Sequence, residues 1–146
     1  MASGVTLREP PYTRDILRLA ADIPHQHDFY SLADGVERRS RTCGSRVRVW
    51  VALDSEGRVS ELRQAVEACA YGQAAAALMG ARAIGKDLAG AQADLDGLEK
   101  WLKDGAAPAD WPELAALEPA LQRTSRHEAI LLPFRALVEA IGEAQR

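Results

Sequence analysis

The residues best suited to chemistry are few and lie far apart. The chain has 146 residues, among them two cysteines and three histidines. Cys43 sits in Arg41-Thr42-Cys43-Gly44-Ser45, a turn-like stretch before an alternating run. The glycine beside it lets backbone come close to a bound centre. Cys69 sits in Ala68-Cys69-Ala70-Tyr71-Gly72-Gln73, before an alanine-rich segment that reads as a helix. A cysteine at a helix start meets orphan amides and the positive end of the helix dipole, a setting suited to a sulfur ligand. A third polar cluster, Ser125-Arg126-His127-Glu128, interrupts an otherwise apolar C-terminal segment. Thiolate and imidazole suit zinc and iron, and thiolate favours iron–sulfur clusters. The expectation is that these three places meet and hold a metal or a nascent cluster.

Each of these residues also has a plainer reading. A cysteine is often small apolar filler in a core. The two cysteines are not at a zinc-finger spacing, so no local motif joins them. On a helix, His127 and Glu128 point about 100° apart and approach one centre only near the helix end. His25, His27 and Asp28 form another potential ligand group, but no further ligand stands at a recognised spacing, and a solvated loop explains them.

The totals narrow the field. Hydrophobic residues make up 47% and charged residues 27%, with a net charge of −3. That is ordinary for a globular protein, and the length suits one domain over 1–146, with 1–10 frayed. No basic stripe with interleaved aromatics suggests nucleic acid. The pairs Arg38-Arg39, Arg46/Arg48 and Arg123/Arg126 read as solvated faces or partner contacts. No apolar run approaches the roughly 18 residues that span a bilayer. The start, Met1 to Arg8, lacks the charged and apolar regions of a secretory signal, so a cytoplasmic location is expected. In a reducing compartment, thiols serve more often as ligands or nucleophiles than in disulfides.

These residues need elements to position them. Thr13 can cap a helix over 13–23, with Ile16, Leu17, Leu19, Ala20 and Ile23 on its apolar face and Pro24 ending it. Residues 24–34 read as irregular, and Val36 to Arg41 as a polar strand. From Arg46 to Leu53 the pattern has period two, with Val47, Val49 and Val51 on one face and Arg46, Arg48 and Trp50 on the other. Asp54 to Gly57 reads as a turn, and Arg58 to Val66 as a third strand of uncertain register, together a meander. From Cys69 a helix rich in small residues runs to about Leu88, weakened by Gly80 and Gly85. A second runs from Ala91 to Lys103, followed by a linker at 104–108. Asp110 reads as the cap of a short helix with Pro112 in its first turn. Glu118-Pro119 opens the last apolar segment, in which Pro133 predicts a kink. No nucleophile motif, phosphate loop or pair of catalytic carboxylates at motif spacing is present, so the chain does not read as an enzyme.

Three motifs in order carry a resemblance. Cys43-Gly44-Ser45-Arg46-Val47 precedes a strand. Ala68-Cys69-Ala70-Tyr71-Gly72-Gln73-Ala74, with Leu78-Met79, opens a helix. Arg126-His127-Glu128-Ala129-Ile130-Leu131-Leu132 opens the leucine-rich end. This order resembles the U-type iron–sulfur cluster assembly scaffolds (IscU, SufU and the N-terminal domain of NifU) over nearly the whole chain. The resemblance implies an α+β fold, a three-stranded antiparallel sheet with four to five helices packed on one face. It implies a scaffold or carrier that receives sulfur from a cysteine desulfurase, binds iron, a nascent cluster or zinc, and passes the cluster to acceptor apo-proteins. By position, Cys43 and Cys69 match the family's first two cysteines, and His127 matches its histidine. Glu128 stands where the third cysteine is expected, and Ser45 where the family has an aspartate. The implied ligand set is Cys43, Cys69, His127 and Glu128, with Ser45 and Arg126 auxiliary. The Leu-Pro-Pro-Val-Lys chaperone-docking motif of the IscU branch is absent, and the chain resembles the SufU-like side. An interaction or regulatory module that kept the fold and lost assembly, with or without zinc, is the alternative.

Overall fold

The computed structural model describes residues 12–41 and 44–146. Helix α1 (Arg14–Ala21) starts where Thr13 accepts the Ile16 amide at 3.3 Å. Ile16 is buried, while Leu17, assigned to the same apolar face by its spacing, is half exposed. Strands β1 (Val36–Arg39), β2 (Arg46–Leu53) and β3 (Val59–Glu67) follow as an antiparallel meander in chain order. Val47, Val49 and Val51 are buried, and Arg46, Arg48 and Trp50 are only part-covered, as the alternation predicts.

The helices cover the valine face. Helix α4 (His127–Ala144) lies against β2 and β1, and α2 (Ala70–Ala83) lies beside β3 and against α1 and α4. Helix α3 (Leu88–Asp104) packs on α4, capped at one end by the Asp87 side chain and closed at the other by Gly105. With two 3-10 stretches, Pro112–Gln122 and Thr124–Arg126, this is the expected α+β architecture. One main core runs from Ile16 to Ile141 and takes residues from every strand but β1, and from all four α-helices. The Val36 side chain of β1 packs against it.

Several boundaries differ from the sequence expectation. Helix α2 ends at Ala83 rather than near Leu88, because Gly85 takes a left-handed turn and its amide bonds to the Val59 carbonyl at 2.8 Å. Asp110 does not cap the next element; Trp111 holds that position, and Pro112 sits first. Glu118-Pro119 does not open the last helix but lies inside the 3-10 stretch. Helix α4 continues past Pro133 to Ala144.

The segment read as irregular has a definite role. The Gln64 amide donates to the His25 carbonyl at 3.0 Å, and the His27 amide donates to the Gln64 carbonyl at 2.7 Å. Residues 25–27 therefore cover the outer edge of β3. His25 adopts φ 61° to do so.

A candidate cluster-binding end of the sheet

The candidate site is built where β2 begins and β3 ends. Arg46 pairs with Glu67 in the antiparallel register. Their side chains form a two-pronged ion pair, at 2.8 and 2.9 Å. The Arg46 bond holds the Glu67 carboxyl below its usual range, and raises that of the arginine in turn. Paired strands run about 4.8 Å apart. The chain before Arg46 and the chain after Glu67 thus leave the sheet at the same end.

Each segment is then fixed. Cys69 takes the N-cap position of α2 in extended backbone, and its sulfur makes no capping hydrogen bond. It is part-buried and packs on the core. Tyr71, two residues on, is buried and meets the Tyr12 ring edge-on at 5.3 Å between centroids. On the other side, the β1–β2 connection is closed at its base. The Ser40 amide donates to the Ser45 carbonyl at 2.9 Å, and the Ser45 amide donates to the Ser40 hydroxyl at 3.2 Å. Ser45, in the family's aspartate place, is 3% exposed. Thr42 and Cys43 lie outside the described residues.

The start of α4 completes the arrangement. Glu128 Oε1 accepts the Arg41 amide at 2.8 Å. Ala129, the next residue, is fully buried, and its carbonyl and Cβ stand 3.4 and 3.5 Å from where a side chain on Gly72 would begin. Pro133 has no amide to donate back to Ala129 in the ordinary helical pattern. A proline in one helix and a glycine in the other therefore meet where α2 and α4 come together. Three separate pieces of chain, at Arg41, at Cys69–Gly72 and at Glu128–Ala129, converge on one end of the sheet.

The histidine points elsewhere. His127 Nε2 lies 2.8 Å from the Ala120 carbonyl, so that nitrogen donates. The ring lines a surface cleft with Lys100, Leu102, Lys103 and Leu131, on the α3 side. Arg126 is part-buried at the N-cap position of α4. Among the described residues no group of three or more histidine, cysteine, aspartate or glutamate side chains is gathered closely enough to hold a metal ion.

Sequence reasoning picked out Cys69 and Glu128 but missed the contact that places Glu128. A backbone amide carries no residue signature, so Arg41 could not be singled out. Gly72 could have been, as a glycine within the first turn of an alanine-rich helix.

No protein-family model matches this sequence, and no curated protein is significantly similar to it. Solved structures are. The N-terminal part of a nitrogen-fixing NifU-like protein from Brucella abortus superposes with a TM-score of 0.80 at 27% identity, over 91% of this chain and 93% of that one. A candidate iron–sulfur cluster assembly scaffold for the SUF system of Fervidobacterium islandicum AW-1 gives 0.77 at 18% identity, over 90% and 96%. A hypothetical protein gives 0.72 at 21%, over 88% and 94%. The chain has the fold of the U-type scaffold domains.

Proposed function

We propose that this protein is an iron–sulfur cluster scaffold or carrier, with the cluster as its cargo. The observation that supports it is the meeting of three pieces of chain, at Arg41, at Cys69–Gly72 and at Glu128–Ala129, at one end of the sheet. Cys43 and Cys69 supply the soft ligands, and the Cys69 sulfur, left out of the helix cap, is the natural acceptor for sulfur from a cysteine desulfurase. Glu128 offers a harder donor, and His127 would join it only by leaving the Ala120 carbonyl, a mixed set of a kind known for two-iron centres and zinc. The product passes to acceptor apo-proteins, and no small substrate is turned over. The likeness to the NifU-like and SUF-system structures supports this reading.

A second reading rests on a specific observation. The Glu128 carboxylate and the His127 Nε2 are both already engaged by the protein's own backbone. That favours a module that keeps the fold for interaction, with zinc or no metal, and does not assemble clusters.

Purification without oxygen, with iron, sulfide and zinc measured before and after reconstitution, separates the two. Visible cluster absorption that disappears in Cys43→Ala and in Cys69→Ala is the expected result for a scaffold. Stoichiometric zinc without cluster uptake supports the second reading. Binding of neither, under the same handling, sinks both metal-site models and leaves a metal-free module.

A further inference from the structure

On one side of β2 its neighbour strand stops short. β1 pairs with β2 only from Val36, opposite Val49, to Arg39, whereas β2 runs on to Leu53. The Gly35 amide bonds to the Leu32 carbonyl at 3.1 Å, which turns the chain before β1 begins. The bonds around β2 show where its backbone groups point. Gln64, the β3 partner of Val49, uses its amide and carbonyl on residues 25 and 27, so Val49 turns its own toward β1. Alternation aims the amide and carbonyl of Val51 the same way, beyond the end of β1. Leu53 follows suit, because its β3 partner Val59 bonds outward to Gly85 and Lys86. No described residue bonds to the Val51 or Leu53 backbone on that side.

Sheets ordinarily cover such an edge, as residues 25–27 cover β3. Here a groove of about 200 Å³ lies beside it, walled by Val36, Val51, Ala140 and Ala144 and flanked by Asp34 and Glu143. Both acids are exposed, and neither forms an ion pair with a described residue, whereas Glu139 on the same helix is held by Arg38. We propose that this open stretch of β2 is a docking edge for a basic, extended segment of a partner protein, which adds a strand beside Val51 and Leu53. The free main-chain groups ask for another main chain, the groove for small apolar side chains at alternate positions, and the carboxylates for lysine or arginine. A second copy of this chain is a poor occupant, because twofold pairing would gather four carboxylates in one interface. The edge lies at the far end of β2 from the Arg46–Glu67 pair, so a partner here leaves the candidate cluster-binding end open.

Amide hydrogen exchange at Val51 and Leu53 in the full chain tests this, with a six-residue peptide of alternating lysine and valine as the probe. Residues opposite one another in an antiparallel pair share a face, so the valines stand opposite Val51 and their amides make the bonds. Exchange should be fast in the free protein at every concentration, and about tenfold slower with saturating peptide. Methylating the valine amides should abolish the slowing, and methylating the lysine amides should not. A glutamate–valine peptide should bind about tenfold more weakly, for want of two exposed ion pairs, and Asp34→Asn with Glu143→Gln should erase that preference. Slow exchange without peptide at every dilution shows that the chain covers this edge itself. Slowing that grows with protein concentration identifies a second copy as the occupant. Equal binding of the two peptides removes the charge argument. Each of these overturns the proposal, as does exchange that the lysine–valine peptide leaves unchanged.

Discussion

At Gly72 one missing carbon decides how two helices meet. A Cβ there would lie 2.7 Å from the Ala68 Cβ, and the Ala129 backbone stands close on the other side. Neither neighbour is the end of a flexible side chain, so the backbone itself would have to move. In an exposed helix, alanine in place of glycine stabilises by about 1 kcal/mol. Here the sign reverses: Gly72→Ala should destabilise by about 1–3 kcal/mol, as overpacking does, seen as a lower urea midpoint. A midpoint at or above wild type would show that α2 and α4 can separate without cost. The same substitution pushes apart the pieces that carry Cys69 and Glu128, so it should also accelerate exchange at Arg41. A charged residue tells a similar story at the sheet end. Arg46 joins Glu67, stands within 3.9 Å of Glu37 and lies over the Phe29 ring at 3.8 Å. That arginine read in the sequence as part of a solvated face or a partner contact; in the fold it clamps the strand pair next to the candidate site.

Among the elements, the β2–β3 hairpin sets the geometry on which the functional reading depends. A register shift between Ala52 and Leu53, near the Asp54–Gly57 turn, fixes the pairing for the rest of the two strands. A slip of one residue would turn the valine face outward and separate Arg46 from Glu67. Gln64 locks the outer strand in place. It is fully buried, and its amide nitrogen donates to the Pro24 carbonyl at 2.9 Å and the Ala76 carbonyl at 3.0 Å. It thereby ties the end of the α1 segment to α2 across β3. Gly80 leaves the room this amide needs, since a Cβ there would come within 2.8 Å of the same nitrogen. This is why a glycine that weakens an isolated helix sits in this one. Gln64→Glu should be worse than Gln64→Leu, because it aims a carboxylate at two carbonyls. A loss on the order of 3 kcal/mol or more is expected for the glutamate, measured by chemical denaturation. Equal stability of the two variants would show that a carboxylate facing the Pro24 and Ala76 carbonyls carries no extra cost.

For the molecule as a whole, acid should act through the outer face of the sheet. The Glu37 carboxyl is held below its usual range, first by the hydrogen bond from Arg39 and then by that from Arg48; Arg46 does the same for Glu67. Carboxyls lowered on folding stabilise fully above their unfolded value, and that contribution is lost as pH falls through the lowered folded value. The urea midpoint should therefore keep the full contribution of these groups down to about pH 5 and decline below roughly pH 4. Glu37→Gln should flatten part of that decline; an unchanged acid limb would rule these pairs out as its cause. No helix among the described residues is long and apolar enough to cross a membrane.

The sequence by itself determined the local structure. Alternation at Val47, Val49 and Val51 marked the strand and its buried face, Thr13 marked a helix start, and Cys69 marked another, because side-chain period and capping chemistry are written in neighbouring residues. It also singled out the residues of the candidate site, through their order along the chain. Only the tertiary structure decided how those residues stand to one another. The strand register, the Arg41–Glu128 bond, the Gly72–Ala129 approach and the turn of His127 toward Ala120 all join residues distant in sequence or depend on backbone groups common to every residue. Such contacts leave no periodic trace, and whether they form depends on the packing of the whole core. The sequence named candidate donors, and the fold made one of them, Glu128, a backbone acceptor.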